Sequence, residues 1–302
     1  MPPELPTAPT ATGTTTAEAV LAEPGSDDRT SLGFTFWLAV AWLVALSALC
    51  ALAPVLPFVK DPALPQGPLQ DLPTPDYWFG TDNLGRDQFA RILYGGRVSL
   101  LIGIAVVVFG SVVGGFLGIT AGYFRGWWDR LVTGIVDILL SFPALLLALA
   151  LVSVVGGGEP SIGSVIASLS VLAVAPLARI TRATTLTFTR REFVQAARVL
   201  GATDARIVRR EILPNVVPPM ASFALVVVAV VIVAEGALAF LGLSVTDTPS
   251  WGSMIQFGRA QLEDHPQVSA VPIIVMFLTI LAFNLVGDRL RQRFGDIKEA
   301  GI

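Results

Sequence analysis

The stretch REFVQAARVLGATDARIVRREILPN, residues 191–215, is basic and helix-patterned, yet long apolar runs lie on both sides of it. Phe193, Ala197 and Leu200 fall on one face of a helix, with Arg191, Gln195 and Arg198 on the other. Gly201 then supplies a left-handed stop. Thr203 or Asp204 stands where it can cap a second short helix. On that helix Ala205, Val208 and Ile212 share a face, Arg206 and Arg210 lie opposite, and Pro214 closes it. The spacing predicts two short helices at a fixed turn. An apolar stripe beside arginines fits a docking surface for another protein. It also fits a helix pair lying on lipid headgroups, and the pattern alone leaves both open.

The flanking runs make the bilayer the first solvent to consider. The chain is 53% hydrophobic and 14% charged, where a soluble domain is nearer about a quarter charged. A membrane helix needs about 20 apolar residues. Six candidates are read, at 32–56, 98–122, 131–155, 161–178, 217–243 and 268–286. None alternates like a barrel strand, so the expected class is an all-α integral membrane protein with six transmembrane helices. With the N-terminus inside, the inner segments hold 15 of the 20 Lys and Arg residues, eight of them arginines between Arg179 and Arg210. The positive-inside rule then puts both termini in the cytoplasm.

This gives four regions: a disordered tail at 1–30, a first span with a long outer segment at 31–97, a five-span core at 98–290, and a cytoplasmic tail at 291–302. The core includes an arginine-rich cytoplasmic loop at 179–215. The first 30 residues, rich in Pro, Thr and Ala, lack the basic start of a signal peptide. Within the outer segment, 82–97 reads as a polar helix along the membrane face, and Trp251 in the last outer loop reads as an interfacial anchor. Gly110, Gly114, Gly118 and Gly122 line one stripe of the second span, a pattern that lets another helix approach closely. Pro143 and Pro176 are expected to bend the third and fourth spans or loosen their hydrogen-bond ladders.

Chemistry-bearing residues are few. Cys50 is the only cysteine and His265 the only histidine, so neither a disulfide nor a metal cluster is expected, and no cofactor is expected on this chain. The only lysines, Lys60 and Lys298, stand in no phosphate-loop context, so no ATP site is expected. No nucleophile–base constellation is visible, which argues against an enzyme. A net charge of −3 gives no reason to expect nucleic acid. Asp137, Glu235 and Asn284 fall inside apolar runs. Each either bonds across helices or lines a pathway.

Residues 195–215, QAARVLGATDARIVRREILPN, resemble the cytoplasmic loop of ABC-importer permeases, whose pattern is Glu-Ala-Ala, a downstream Gly and Ile-Leu-Pro. Gln195, Ala196 and Ala197, then Gly201, then Ile212, Leu213 and Pro214 hold those places, with Gln195 where the family has Glu. FGTDNLGRDQFARILYGGRVSLLIG (79–103), AGYFRGWWD (121–129), DILLSFPALLLAL (137–149), FLGLSVTDTPSWGSMI (240–255) and AFNLVGDRLR (282–291) are similar, in order, to the second permease subunit of dipeptide and oligopeptide importers.

The resemblance implies a type I importer permease fold, and a loop that couples to a cytoplasmic ATPase. The main contact would run through Gln195, Ala196, Ala197, Arg198, Leu200 and Gly201, braced by Asp204, Arg206, Ile212, Leu213 and Pro214. It further implies a similar second permease, one or two ATPase subunits carrying ATP and Mg, an extracytoplasmic binding protein received by the outer loops, and a multi-pass place in the cell membrane. The implied cargo is a di- or oligopeptide. Nickel chelates, haem or another small solute would use the same fold. A self-sufficient secondary transporter would leave the loop without a purpose, and no duplicated half is visible.

Overall fold

Backbone polar groups in hydrocarbon must be satisfied within their own segment, so the apolar runs fold as helices. The computed structural model describes residues 33–157, 160–243 and 248–299. The expected tail at 1–30 and residues 300–302 lie outside them. Among the described residues the helices are α1 (Gly33–Leu52), α2 (Gln88–Phe124), α3 (Gly126–Ser141), α4 (Ala144–Val155), α5 (Ile162–Phe188), α6 (Glu192–Val199), α7 (Asp204–Ile207), α8 (Leu213–Phe240), α9 (Trp251–Gly258) and α10 (Gln267–Glu299). No strand is present among them.

Among the described residues five stretches are long and apolar enough to cross a membrane: Gly33–Val55, Gln88–Phe124, Ile162–Phe188, Asp204–Phe240 and Gln267–Phe294. The run read as a third span at 131–155 forms two helices, α3 and α4, that are apolar enough together for one span and are bent by 96° at the proline expected to bend it. The break falls at Phe142 and Pro143, both extended in ψ. Proline disfavours the helical conformation in the residue before it. Pro176 behaves differently and sits inside an unbroken α5.

Three other boundaries differ from the sequence reading. The fourth span is longer than 161–178, because α5 continues through the first arginines to Phe188. The polar segment at 82–97 is not a separate helix. Asp87 caps α2 by accepting from Phe89 N at 3.1 Å, and α2 then runs uninterrupted for 37 residues, about 55 Å. Residues up to Asp87 are instead tied turns: Asp82 Oδ1 accepts from the amides of Leu84 at 2.9 Å and Arg86 at 3.0 Å. At the C-terminus α10 carries on to Glu299, so most of the stretch expected as a tail is helical.

The glycine stripe explains the centre of the bundle. A Cβ built on Gly114 would stand 2.7 Å from the Val174 carbonyl oxygen, and one on Gly118 would stand 2.6 Å from that of Ala178. Cβ atoms at Gly110 and Gly122 would meet Leu177 at 2.9 Å and Thr185 at 2.8 Å. All four glycines therefore face α5, whose backbone lies almost against that of α2. Leu100, Ile102, Val106, Leu169, Leu177, Val228 and Ile232 continue this core into α8, and α1 and α10 close the far side through Phe36, Ala39, Ala282 and Val286.

Candidate functional site

The 191–215 stretch folds as a hairpin at the C-terminal ends of α2 and α5. Helix α6 stops because Gly201 takes φ +78°. Gly201 N donates to Arg198 O at 3.1 Å and Ala202 N to Ala197 O at 3.0 Å, the paired bonds of a Schellman cap. Thr203 is the N-terminal flank of α7, without a side-chain cap bond. Helix α7 does not end at Pro214. A five-residue π turn, Val208–Ile212, joins it to α8, and the helix runs on to Phe240. Pro214 has no N–H to give, and the π turn just before it is where the α-helical hydrogen-bond ladder changes register. The expected closing proline is an interior residue.

The buried face is also shifted from the one read in the sequence. Val194, Ile207, Ile212 and Val216 are buried with Ile119 and Tyr123 of α2 and Phe188 of α5. Ala197, Ala202 and Val208 pack against them. Phe193 and Ala205 stay exposed, and Leu200, expected on the apolar face, is 86% exposed beside Val199 at 87%. Phe193 leaves the buried face because Ile119, Tyr123 and Phe188 pack against the side of α6 that carries Val194 and Ala197. The hairpin is thus anchored by one closed cluster while its tip carries two unpartnered aliphatic side chains.

Polar contacts fix the angle. Tyr123 Oη donates to Asp204 Oδ1 at 2.5 Å, and Arg198 Nη2 donates to Tyr123 Oη at 3.4 Å. Gln195 Nε2 donates to Arg190 O at 3.3 Å. Arg198, Gln195 and Val199 line one side of an open hollow of about 560 Å³, with Arg125 and Arg190 on the other. Arg206 lines a second, shallower hollow with Arg209 and Arg210. Leu213 is exposed, as are Ala196 and Gly201.

A match to the family model of the binding-protein-dependent transport system inner membrane component covers residues 114–296. The chain belongs to this family. It is 39% identical over 225 residues to a glutathione transport system permease protein, GsiD, of Shigella dysenteriae serotype 1, covering 74% of this chain and 73% of that one. It is 40% identical, over the same share of each chain, to the GsiD of Escherichia coli O6:K15:H31. These place it among inner-membrane permeases of the dipeptide and oligopeptide importer type. Among solved structures it resembles the inward-facing MetNI methionine ABC transporter, with a TM-score of 0.57, 21% identity, and coverage of 68% of this chain and 97% of that one. An amino acid ABC transporter matches with a TM-score of 0.54, 15% identity, and coverage of 68% and 94%. At such identities the likeness concerns the fold, and it is the type I importer permease fold.

Glu235, Asp137 and Asn284, the polar residues singled out inside the permease's spans, each have a local partner. Glu235 is buried and accepts from Ser99 Oγ at 3.1 Å. Ser99 Oγ in turn accepts from Trp251 N at 3.2 Å, so α2, α8 and α9 meet at one point. Trp251 is fully buried and donates from its ring to Ile92 O at 3.0 Å. It is therefore a core residue, not the expected interfacial anchor, because the Ser250–Ser253 capping box starts α9 there and turns the ring inward. Asp137 forms an ion pair with Arg179, half exposed on both sides. Asn284 donates to Ile280 O of its own helix at 2.9 Å.

Sequence reading missed Tyr123, Ser99 and the Arg182–Asp129 pair. Arg182 donates from Nε and Nη2 to the two carboxylate oxygens of Asp129, the second at 2.7 Å, and so pins α3 to α5 beside the hairpin. Tyr123 and Asp129 lie in the AGYFRGWWD block, but nothing in that block says what they face.

Proposed function

We propose that this permease forms half of the pathway of an ATP-driven importer of di- or oligopeptides, and that α6 with its Gly201 turn is the element coupling it to a cytoplasmic ATPase. The observation that carries this reading is the hairpin tip. Val199 and Leu200 are 87% and 86% exposed, yet stand on an anchored cluster shared by α2, α5 and α8. A side chain held rigidly outward and apolar favours insertion into a partner's groove. Its base touches three membrane helices, so displacement of the tip reaches them as one body. ATPase closure would bias a two-state gate through this lever.

In this reading Gln195, Ala196, Ala197, Arg198, Leu200 and Gly201 make the contact. Asp204, Arg206, Ile212, Leu213 and Pro214 brace it, Asp204 through Tyr123. ATP and Mg belong to one or two ATPase subunits. A second, similar permease completes the pathway, and an extracytoplasmic binding protein delivers cargo. Both termini then face the cytoplasm, as the arginine bias requires. The glutathione permeases among the relatives favour a peptide-like cargo.

The test is capture of partners by the tagged chain in mild detergent, with and without Leu200→Asp. Leu200 is 86% exposed and lies outside the anchoring cluster, so the substitution leaves that cluster intact. The expected result is recovery of an ATPase and a second permease with the native chain, and loss of the ATPase alone with the variant. Retention of the ATPase by the variant, or ATP-independent uptake, rejects the coupling role.

A further inference from the structure

At the opposite end of α2 from the hairpin lies a cavity of about 780 Å³, between the 57–87 segment, the first turns of α2 and helix α9. Among the described residues its wall carries four cations, Lys60, Arg86, Arg91 and Arg97, against one acid, Asp61. Asp82, which does not line the cavity, pairs with Arg86 and Arg91 from behind. Small-molecule sites typically measure about 300–1,000 Å³ and combine apolar walls with a few convergent polar groups. Here Val98, Leu101 and Phe257 supply the apolar part.

The four cations are not equivalent. Arg86 is spent on Asp82, with Nε and Nη2 both at 2.7 Å from Oδ2. Arg91 is buried, 3.4 Å from the same oxygen, and donates to Pro62 O at 3.2 Å. Lys60 donates to Asp76 O at 2.6 Å and lies over the Tyr77 ring. Arg97 alone among them, within the described residues, has no carboxylate or other acceptor. Its contact is the face of Tyr94, 5.8 Å from the ring centroid. A guanidinium held over an aromatic face at the wall of a cavity, its five donors unspent, is arranged for a planar two-oxygen anion.

We propose that this cavity binds the free carboxylate of a short peptide-like solute, with Arg97 as the bidentate partner and Lys60, Arg86 and Arg91 providing the surrounding positive field. The inference rests on the reading of the chain as a peptide importer's permease and names the cargo's recognised group. A carboxylate suits it better than a bulky acidic protein surface, because the site is a cavity of ligand size with apolar walls rather than a convex basic patch.

The experiment places the full chain in nanodiscs of phosphatidylcholine, which supply no anionic lipid. Dialanine and dialanine amide are titrated against it by saturation-transfer NMR, for the native chain and for Arg97→Gln. The expected result is saturable binding of the free acid, with the amide about tenfold weaker, and about a tenfold loss for the acid alone in the variant. Equal binding of acid and amide, no binding, no effect of the substitution, or displacement by inorganic phosphate as effective as by dialanine overturns it. Uptake in cells separates the two readings. If Leu200→Asp abolishes ATP-dependent dialanine uptake while Arg97→Gln changes neither uptake nor binding, the importer stands and the carboxylate site falls. If uptake ignores Leu200→Asp, the importer reading falls whatever Arg97→Gln does.

Discussion

Replacing Gly118 by alanine adds one methyl group at the closest of the four stripe glycines to α5. The new Cβ would sit 2.6 Å from the Ala178 carbonyl oxygen, 2.7 Å from Thr181 Cβ and 2.9 Å from Arg182 N. Two of these three are backbone atoms of α5 and cannot rotate away. Ordinary contact begins near 3.4 Å, so α2 and α5 must part by about 0.8 Å along that line or shear past each other. Overpacking of a tight core costs about 1–3 kcal/mol, and the upper half of that range applies here because no side chain can give. The built-in comparison is Gly134 of α3, where a Cβ meets nothing within 4 Å. Alanine there is expected to be neutral or to stabilise by up to about 1 kcal/mol, through helix propensity. Gly110→Ala should fall between them, since its nearest neighbour is the end of the Leu177 side chain at 2.9 Å. The assay is thermal unfolding of the purified chain in nanodiscs, read by tryptophan fluorescence and by accessibility of the buried Cys50 thiol. If Gly118→Ala melts with Gly134→Ala, the α2–α5 contact is not the close backbone seam described and the argument from the stripe is wrong.

Two further perturbations separate structural from functional roles. Tyr123→Phe removes the hydroxyl that bridges Asp204 and Arg198 while leaving the ring in its cluster. Amide exchange across 192–204 should quicken several-fold, equivalent to about 1 kcal/mol, with the melting point of the bundle unchanged; unchanged exchange would mean the bridge does not hold the hairpin. Glu235→Gln keeps an acceptor for Ser99 and should melt within about 1 kcal/mol of the native chain with uptake retained. Glu235→Leu orphans the Ser99 hydroxyl and should cost about 1–3 kcal/mol. A Gln variant that folds normally but transports nothing would show that the carboxylate itself takes part in transport.

What the sequence determined by itself is the class, the number and rough place of the apolar runs, and the hairpin's turn. Length and hydropathy decide that a segment is a membrane helix, and Gly201 is legible because few residues but glycine accept φ +78° at a helix end. The glycine stripe was legible as a packing face for a similar reason, since four-residue spacing puts small residues in line on any helix. Tertiary structure decided the rest. Local pattern cannot separate a proline that breaks a helix, Pro143, from those that do not, Pro176 and Pro214. At Pro214 a π turn precedes the proline, and at Pro176 the helix continues unbroken. Periodicity offered Phe193 and Leu200 as a buried face, but which side of α6 is buried depends on where Ile119, Tyr123 and Phe188 stand. Trp251 looked like an interfacial anchor until α2 and α8 enclosed it. The cavity around Arg97 had no sequence signal at all, because its walls come from three segments far apart in the chain and only folding brings four cations to one hollow.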